Sequence, residues 1–502
     1  LRTALEEARR EAKGSTKERL EKGLAQLEEA HIGTIHGFCS DLLKERPLQA
    51  GVDPLFQVAT EDEAERIYRR AFEHWLQDKL VSPPSGVRRI LRQPLSREVG
   101  PVQLLYRAGR DLIDRRDFPT PWQVRPFNRE ETIDELITRL LQLAGEVNKC
   151  RNPDDYLYKG FAELRSFAVE VKRQEEARGS RDYDYLEHRI PSLDLGKWKG
   201  RGPYADGVLR DDLMNERESL KEVLTDFKKR AGADRAANLK GELGDLVERY
   251  RTLMEKAGRL DFLDLLVRAR DLLRDQPSLR EELQNRFTHI FVDEFQDTDP
   301  LQAEILLLLS ADDPAENDWR EVRPQTGKLF IVADPKQSIY RFRRADVGLY
   351  EHIKHQLLAK GAELIHLNVS FRAVPDIQEM INASMSEIMK GSEEEGQASY
   401  VPIERYREPI NDQPSVVALP IPRPYSDWGN LANYAIQRSE PKAVSAWIKW
   451  LVETSGWQVT SRDNPSPHPV QPSDVCLLFR RFISGDRVIT QPYVDALQAR
   501  DI

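Results

Sequence analysis

Three short apolar runs constrain the fold of this 502-residue chain more than any other feature: "THIFV" before Asp293, "KLFIVA" before Asp334 and "AELIHL" before Asn368. Each is followed by polar residues and then by a helical pattern. Strands alternating with helices in this way predict an α/β fold, a parallel sheet covered on both faces. Ligands of such sheets gather beyond the carboxyl ends of the strands, and the least ordinary residues of the chain fall there. A second α/β section opens near Ser415 with "SVVALPI", the helix "KAVSAWIKWLVETSG" and the strand "DVCLLFRR".

Before the first run the character differs. Residues 61 to about 258 carry apolar positions at helical spacing between charges, interrupted by loops such as "VSPPSG" and "GKWKGRGPYADG". The stretch reads as a large all-helical insertion. Lys and Arg number 75 against 84 Asp and Glu, net −9, so any case for nucleic acid must rest on a local site. Cys39, Cys150 and Cys476 lie far apart without metal-ligand spacing, which suits a reducing, cytoplasmic setting. No apolar run approaches the roughly 20 residues of a membrane helix. The chain opens at Leu1 inside a helical pattern and closes at "VDALQARDI", so a fragment of a longer protein is expected.

The stretch "FVDEFQDTDPLQAEILLLL" crowds four carboxylates behind a strand. Asp293 at the strand end is placed to hold a phosphate-bound Mg²⁺, and Glu294 to accept a proton from water. Asp299 followed by Pro300 is a helix start, so part of this acidity is capping. Unpaired burial of Asp293 and Glu294 would be costly. After the second run, Asp334-Pro335 turns the chain and offers Gln337. Tyr340, Arg341, Phe342, Arg343 and Arg344 then interleave rings with guanidinium groups, a pattern able to stack bases of a single strand. Arg372, after the third run, is a candidate arginine finger, the alternative for any single Arg being a salt bridge flanking a helix.

In order, "TIHGFC", "LDFLDLL", "VDEFQDTDP", "DPKQSIYRFRRAD" and "LNVSFRA" resemble the motifs of superfamily 1 DNA helicases of the UvrD/Rep class, and within it the RecB/AddA helicase–nuclease branch. The resemblance implies ATP and Mg²⁺ as cofactors, with Asp293 on the metal and nucleotide, Glu294 as catalytic base, and Gln296 linking nucleotide and DNA sites. It implies Gln337 as sensor of the γ-phosphate and Arg372 as stabiliser of transition-state charge. Thr34, His36, Tyr340, Phe342 and Arg343 would meet single-stranded DNA, while Asp261 and Asp264 stay outside the site as flanks of an amphipathic helix. The domains implied are a first RecA-like lobe over 1–60 and 258–360, the helical insertion over 61–257, and the start of a second lobe over 361–502. ATP would lie in the cleft between the lobes. Implied partners are single strands, duplex ends and a partner subunit; implied activity is 3′–5′ translocation in repair of double-strand breaks.

Two positions depart from the family, Ala333 and Arg344, where Gly is usual. The phosphate loop G-x-x-x-x-G-K-[ST] is absent: "AKGST" at 12–16 has its letters in the wrong order, and "TGKLF" at 326–330 precedes a strand. In the family that loop precedes "TIHGFC", and the last helicase motifs would follow Ile502. Two other readings are an ATP-independent DNA-binding or scaffold relative and, more weakly, a two-metal nuclease.

Overall fold

The computed structural model describes residues 1–93, 99–118, 126–339, 344, 347–392, 397–410, 412–419, 433–460, 466–484 and 487–502. They form two compact units, Leu1–Ile290 with Leu301–Leu329, and Phe291–Pro300 with Phe330–Ile502.

The first unit is mainly helical. Its opening pattern divides into two helices, Arg2–Glu11 and Gly14–Ala25, neither with a buried residue. Ala12 and Lys13 between them are extended and Gly14 has φ +59°, so the letters "AKGST" occupy a helix break. The helix Glu61–Val81 starts at a capping box, in which the Thr60 side chain accepts from Glu63 N–H and the Glu63 carboxylate accepts from Thr60 N–H. Its apolar stripe buries Tyr68, Ala71, Phe72 and Trp75 against Leu243, Leu246, Tyr250 and Met254. A second core joins the helices Arg129–Val147, Ala162–Arg178 and Arg210–Glu242 through Ile137, Leu140, Phe167, Leu220 and Phe227. Gln57–Val58 pairs in parallel with Arg259–Leu260, so the chain enters and leaves this helical stretch on adjacent strands.

In the second unit Val332 N–H donates to the Val292 carbonyl at 2.8 Å and Phe295 N–H to the Val332 carbonyl at 3.1 Å. These bonds continue the neighbouring strands Ile290–Val292 and Leu329–Ile331. Pairings climb together along both strands, as in parallel neighbours. The strands are not covered on both faces as expected. Phe291 and Phe330 are 75% and 54% exposed while Val292 and Ile331 are half-buried, so period-2 alternation covers one face. "AELIHL" forms no strand: a strand needs a hydrogen-bonded neighbour, and pairing begins only at Asn368, whose carbonyl accepts from Glu404 N–H. From there Val369–Ser370 runs parallel to Glu404–Arg405. The expected strands over 415–419 and 474–481 likewise carry no ladder among the described residues. Farther on, the helix Asn433–Glu453 packs on the helix Gln491–Gln498.

Candidate functional site at the strand ends

Beyond Val292 the backbone turns sharply. Glu294 takes φ +54°, ψ +39°, a left-handed conformation that costs a side-chain-bearing residue about 1–2 kcal/mol. The Asp293 carboxylate accepts from Glu294 N–H at 3.0 Å, which steadies the turn. Phe295 anchors it from below, buried and 6.5 Å from the Tyr350 ring. Asp293 and Glu294 are thereby held out in solvent, and the desolvation cost that burial would bring is avoided.

Gln296, next on the turn, is 1% exposed and satisfied at both ends of its amide. Its Nε2 donates to Glu294 Oε2 at 2.5 Å, and its Oε1 accepts from Asp334 N–H at 2.9 Å. The Asp334 carboxylate accepts from Gln337 Nε2 at 2.9 Å and caps the short turn Pro335–Gln337 through Lys336 N–H. Ser338 Oγ closes the ring by donating to the Gln296 carbonyl at 3.2 Å. Four residues thus form one chain of bonds, Glu294–Gln296–Asp334–Gln337, from one strand end to the next. From sequence Asp334 reads only as a turn residue, yet it is the hub. The signal that could have found it is an Asp-Pro at a strand end, just before the Gln of interest.

Asp297 adds a titration feature. Its Oδ1 is buried with no hydrogen-bond partner, and burial with the nearby charge of Glu294 raises its pKa. The helix Pro300–Ser310 begins directly after the buried Asp299, at the Pro expected to open it. Arg372 is exposed on the loop between Ser370 and Pro375 and makes no ion pair among the described residues. Tyr340, Phe342 and Arg343 lie outside the described residues. Arg344 has φ +75°, a conformation that favours the Gly usual there.

In the first unit Thr34 caps the helix Ile35–Glu45, its Oγ1 accepting from Gly37 N–H at 3.2 Å. His36 is half-buried, its ring edge-on to Phe262 at 5.4 Å, which joins "TIHGFC" to "LDFLDLL". Asp261 and Asp264 form a reciprocal capping box for the helix Phe262–Asp275. One Arg116 nitrogen lies 2.6 Å from each carboxylate, and Tyr250 donates to Asp261 at 2.9 Å. Burial acts to raise the pKa of both acids. For Asp261 the Arg116 charge and hydrogen bonds outweigh it and hold the group below its ordinary value; for Asp264 burial and the Asp261 charge prevail and raise it. Lys328 of "TGKLF" is buried, its Nζ bonded to the Gln284 carbonyl at 2.6 Å, so this lysine serves the core.

Among the described residues no three His, Cys, Asp or Glu side chains converge as a metal cage. The exposed carboxylate of Asp293 fits the way Mg²⁺ is held beside nucleotide phosphates, by one or two carboxylates with waters and phosphate oxygens completing the shell. No helix is long and apolar enough to cross a membrane among the described residues.

Comparison with known proteins agrees with the motif order. Residues 6–357 match the family described as UvrD/REP helicase N-terminal domain. Relatives whose names describe ATP-dependent helicase/nuclease subunits include one from Exiguobacterium sibiricum, 27% identical over 402 residues, covering 74% of this chain and 33% of that protein. Those of Oceanobacillus iheyensis and Moorella thermoacetica are 26% and 28% identical, covering 66% and 68% of this chain and 29% and 26% of theirs. The matched region therefore spans a third or less of these relatives. The family match takes in both strand ends and the bond chain between them, and on that ground the chain belongs to the UvrD/REP helicases, a family of RecA-like α/β fold.

Proposed function

We propose that this chain is the motor segment of an ATP-dependent DNA helicase or translocase of the RecB/AddA kind, moving 3′ to 5′ and acting on DNA ends in double-strand-break repair. The observation that carries the reading is the bond chain Glu294–Gln296–Asp334–Gln337. A buried amide tying an exposed carboxylate to an exposed glutamine gives a change at one a path to the other. ATP with Mg²⁺ supplies the phosphoryl group transferred to water. Asp293 holds the metal, Glu294 takes the proton of the attacking water, Gln337 detects the γ-phosphate and Arg372 meets developing charge. Gln296 and Asp334 pass the state of that site towards the segment 340–343, whose Tyr340, Phe342 and Arg343 meet single-stranded DNA; Thr34 and His36 are further DNA contacts. Residues 1–60 and 258–360 are assigned to one lobe, 61–257 to a helical insertion and 361–502 to the start of a second lobe. The side-by-side entry and exit at Gln57–Val58 and Arg259–Leu260 supports the insertion. The protein works in the cytoplasm, as one member of a complex with a partner subunit.

The test is Glu294→Gln in the full-length protein. ATP binding should persist while turnover falls by about 10²–10⁴, the usual worth of a general base. Hydrolysis at the parental rate would overturn the assignment, and an ATP-independent DNA-binding role would then be the better account.

A further inference from the structure

The loop "GKWKGRGPY", Gly196 to Tyr204, is more firmly built than a connection needs to be. Trp198 at its tip is 67% exposed, as is Tyr156 beside it, with ring centroids 6.2 Å apart. Large exposed rings lose nothing by being mobile, yet the backbone that carries this one is tied down from behind. Arg210 donates to the carbonyls of Lys199, Arg201 and Gly202 at 3.0, 3.2 and 3.0 Å. The same guanidinium is clamped by both oxygens of Asp155, the residue preceding Tyr156. Arg217 donates to the Trp198 carbonyl at 3.2 Å and Lys221 to the Gly196 carbonyl at 3.3 Å. Tyr204 is buried and its hydroxyl donates to the Val147 carbonyl at 2.8 Å. Two glycines are required by the path: Gly196, at φ +72°, lies so close to Gly160 that a Cβ would meet its carbonyl oxygen at 2.5 Å, and Gly200, at φ +67°, abuts Arg210.

Within the loop 196–204 every charged residue is a cation. Lys197, Lys199 and Arg201 are exposed, and Lys159 follows Tyr156 by three residues. Lys159 is paired with Asp154 at 2.7 Å and Lys199 more loosely with Asp211 at 3.8 Å. Lys197 and Arg201 have no ion pair among the described residues. Two exposed rings rimmed by cations, on a loop whose carbonyls are tied down, match what binds a single strand: bases stack on the rings and phosphates meet the cations.

We propose that Trp198 and Tyr156, with Lys197, Lys199 and Arg201, form a further contact for single-stranded nucleic acid, in addition to the residues assigned above. The choice of ligand rests on the DNA-handling reading above. The surface itself does not depend on ATP chemistry.

The experiment measures binding of a fluorescein-labelled oligothymidine of about 20 residues to the 502-residue chain by anisotropy, with a duplex of equal length for comparison. Trp198→Ala should weaken oligothymidine binding about tenfold, Trp198→Phe should restore most of it, and duplex binding should change less. Lys197→Gln with Lys199→Gln should lower the salt slope of single-strand binding by about 1.4, twice the ~0.7 expected per phosphate contact. Unchanged affinity in Trp198→Ala and an unchanged salt slope would overturn the proposal, and so would a parent chain that binds no oligothymidine. Parental binding with no Trp198 effect leaves the ATP-driven reading standing, because Glu294→Gln turnover is a separate readout.

Discussion

Two pairs of carboxylates, each beside a phenylalanine in a motif, meet opposite fates in this chain. Asp261 and Asp264 flank Phe262 and are drawn inward, sharing Arg116 and each other's backbone N–H, with Tyr250 donating to Asp261. Asp293 and Glu294 precede Phe295 and are held outward by a left-handed turn. The acids are alike and their neighbours differ. A carboxylate becomes structural when a buried cation and a helix start both claim it. It stays free for chemistry when the backbone itself is strained to present it.

The comparison breaks most visibly if Asp261 is removed. Asp261→Ala leaves Arg116 short of a partner in a nearly closed site and should cost about 3–5 kcal/mol in urea unfolding. A loss below about 1 kcal/mol would mean that the buried pair is ornamental. Next is the amide under the exposed pair. Gln296→Ala strands the Asp334 N–H and should cost about 1–3 kcal/mol by the same measurement. In the full-length protein it should also reduce the stimulation of ATP turnover by single-stranded DNA. Stimulation that survives in full would cut the proposed link.

A third test uses pH to separate Asp264 from its partner. Its folded pKa is raised above the ordinary 3.8, so the folded state favours the protonated form. That stabilisation is fully present below the unfolded pKa and is lost as pH rises through the folded one. Asparagine, neutral throughout, loses nothing. The stability of the parent minus that of Asp264→Asn should therefore be greatest in acid and decline towards neutrality. The decline amounts to about 1.4 kcal/mol for each tenfold by which folding raises the proton affinity of Asp264. A flat difference would show that Arg116 satisfies both acids equally. The smallest effect belongs to the exposed pair: Glu294→Gln should move the unfolding free energy by no more than about 0.5 kcal/mol, while the turnover of the full-length protein is expected to fall by about 10²–10⁴. A larger change would make Glu294 structural too.

Much of this is legible in the residue order, for identifiable reasons. The Pro300 helix start and the Asp261 cap are local events, set by a side chain and the next few N–H groups. Gln296 and Gln337 can be paired in function only by resemblance, because their connection runs through the backbone N–H of Asp334, which sequence spacing does not display. "AELIHL" misleads because apolar composition reports burial and says nothing about whether a neighbouring strand presents its edge. The three cations behind Trp198, lying 12 to 23 residues after it on a helix that reads as merely polar, are equally out of sight.

By itself the sequence determined the helical character of the stretch after Glu61, the order of the motifs and which side chains are candidates for chemistry, because capping, periodicity and residue type act over a few positions. Only the tertiary structure decided which carboxylates are buried and which are offered, that Asp334 joins the two glutamines, and that the backbone carrying an exposed tryptophan is tied down. Those outcomes depend on which distant group arrives to share a proton or a charge, and that is set by packing.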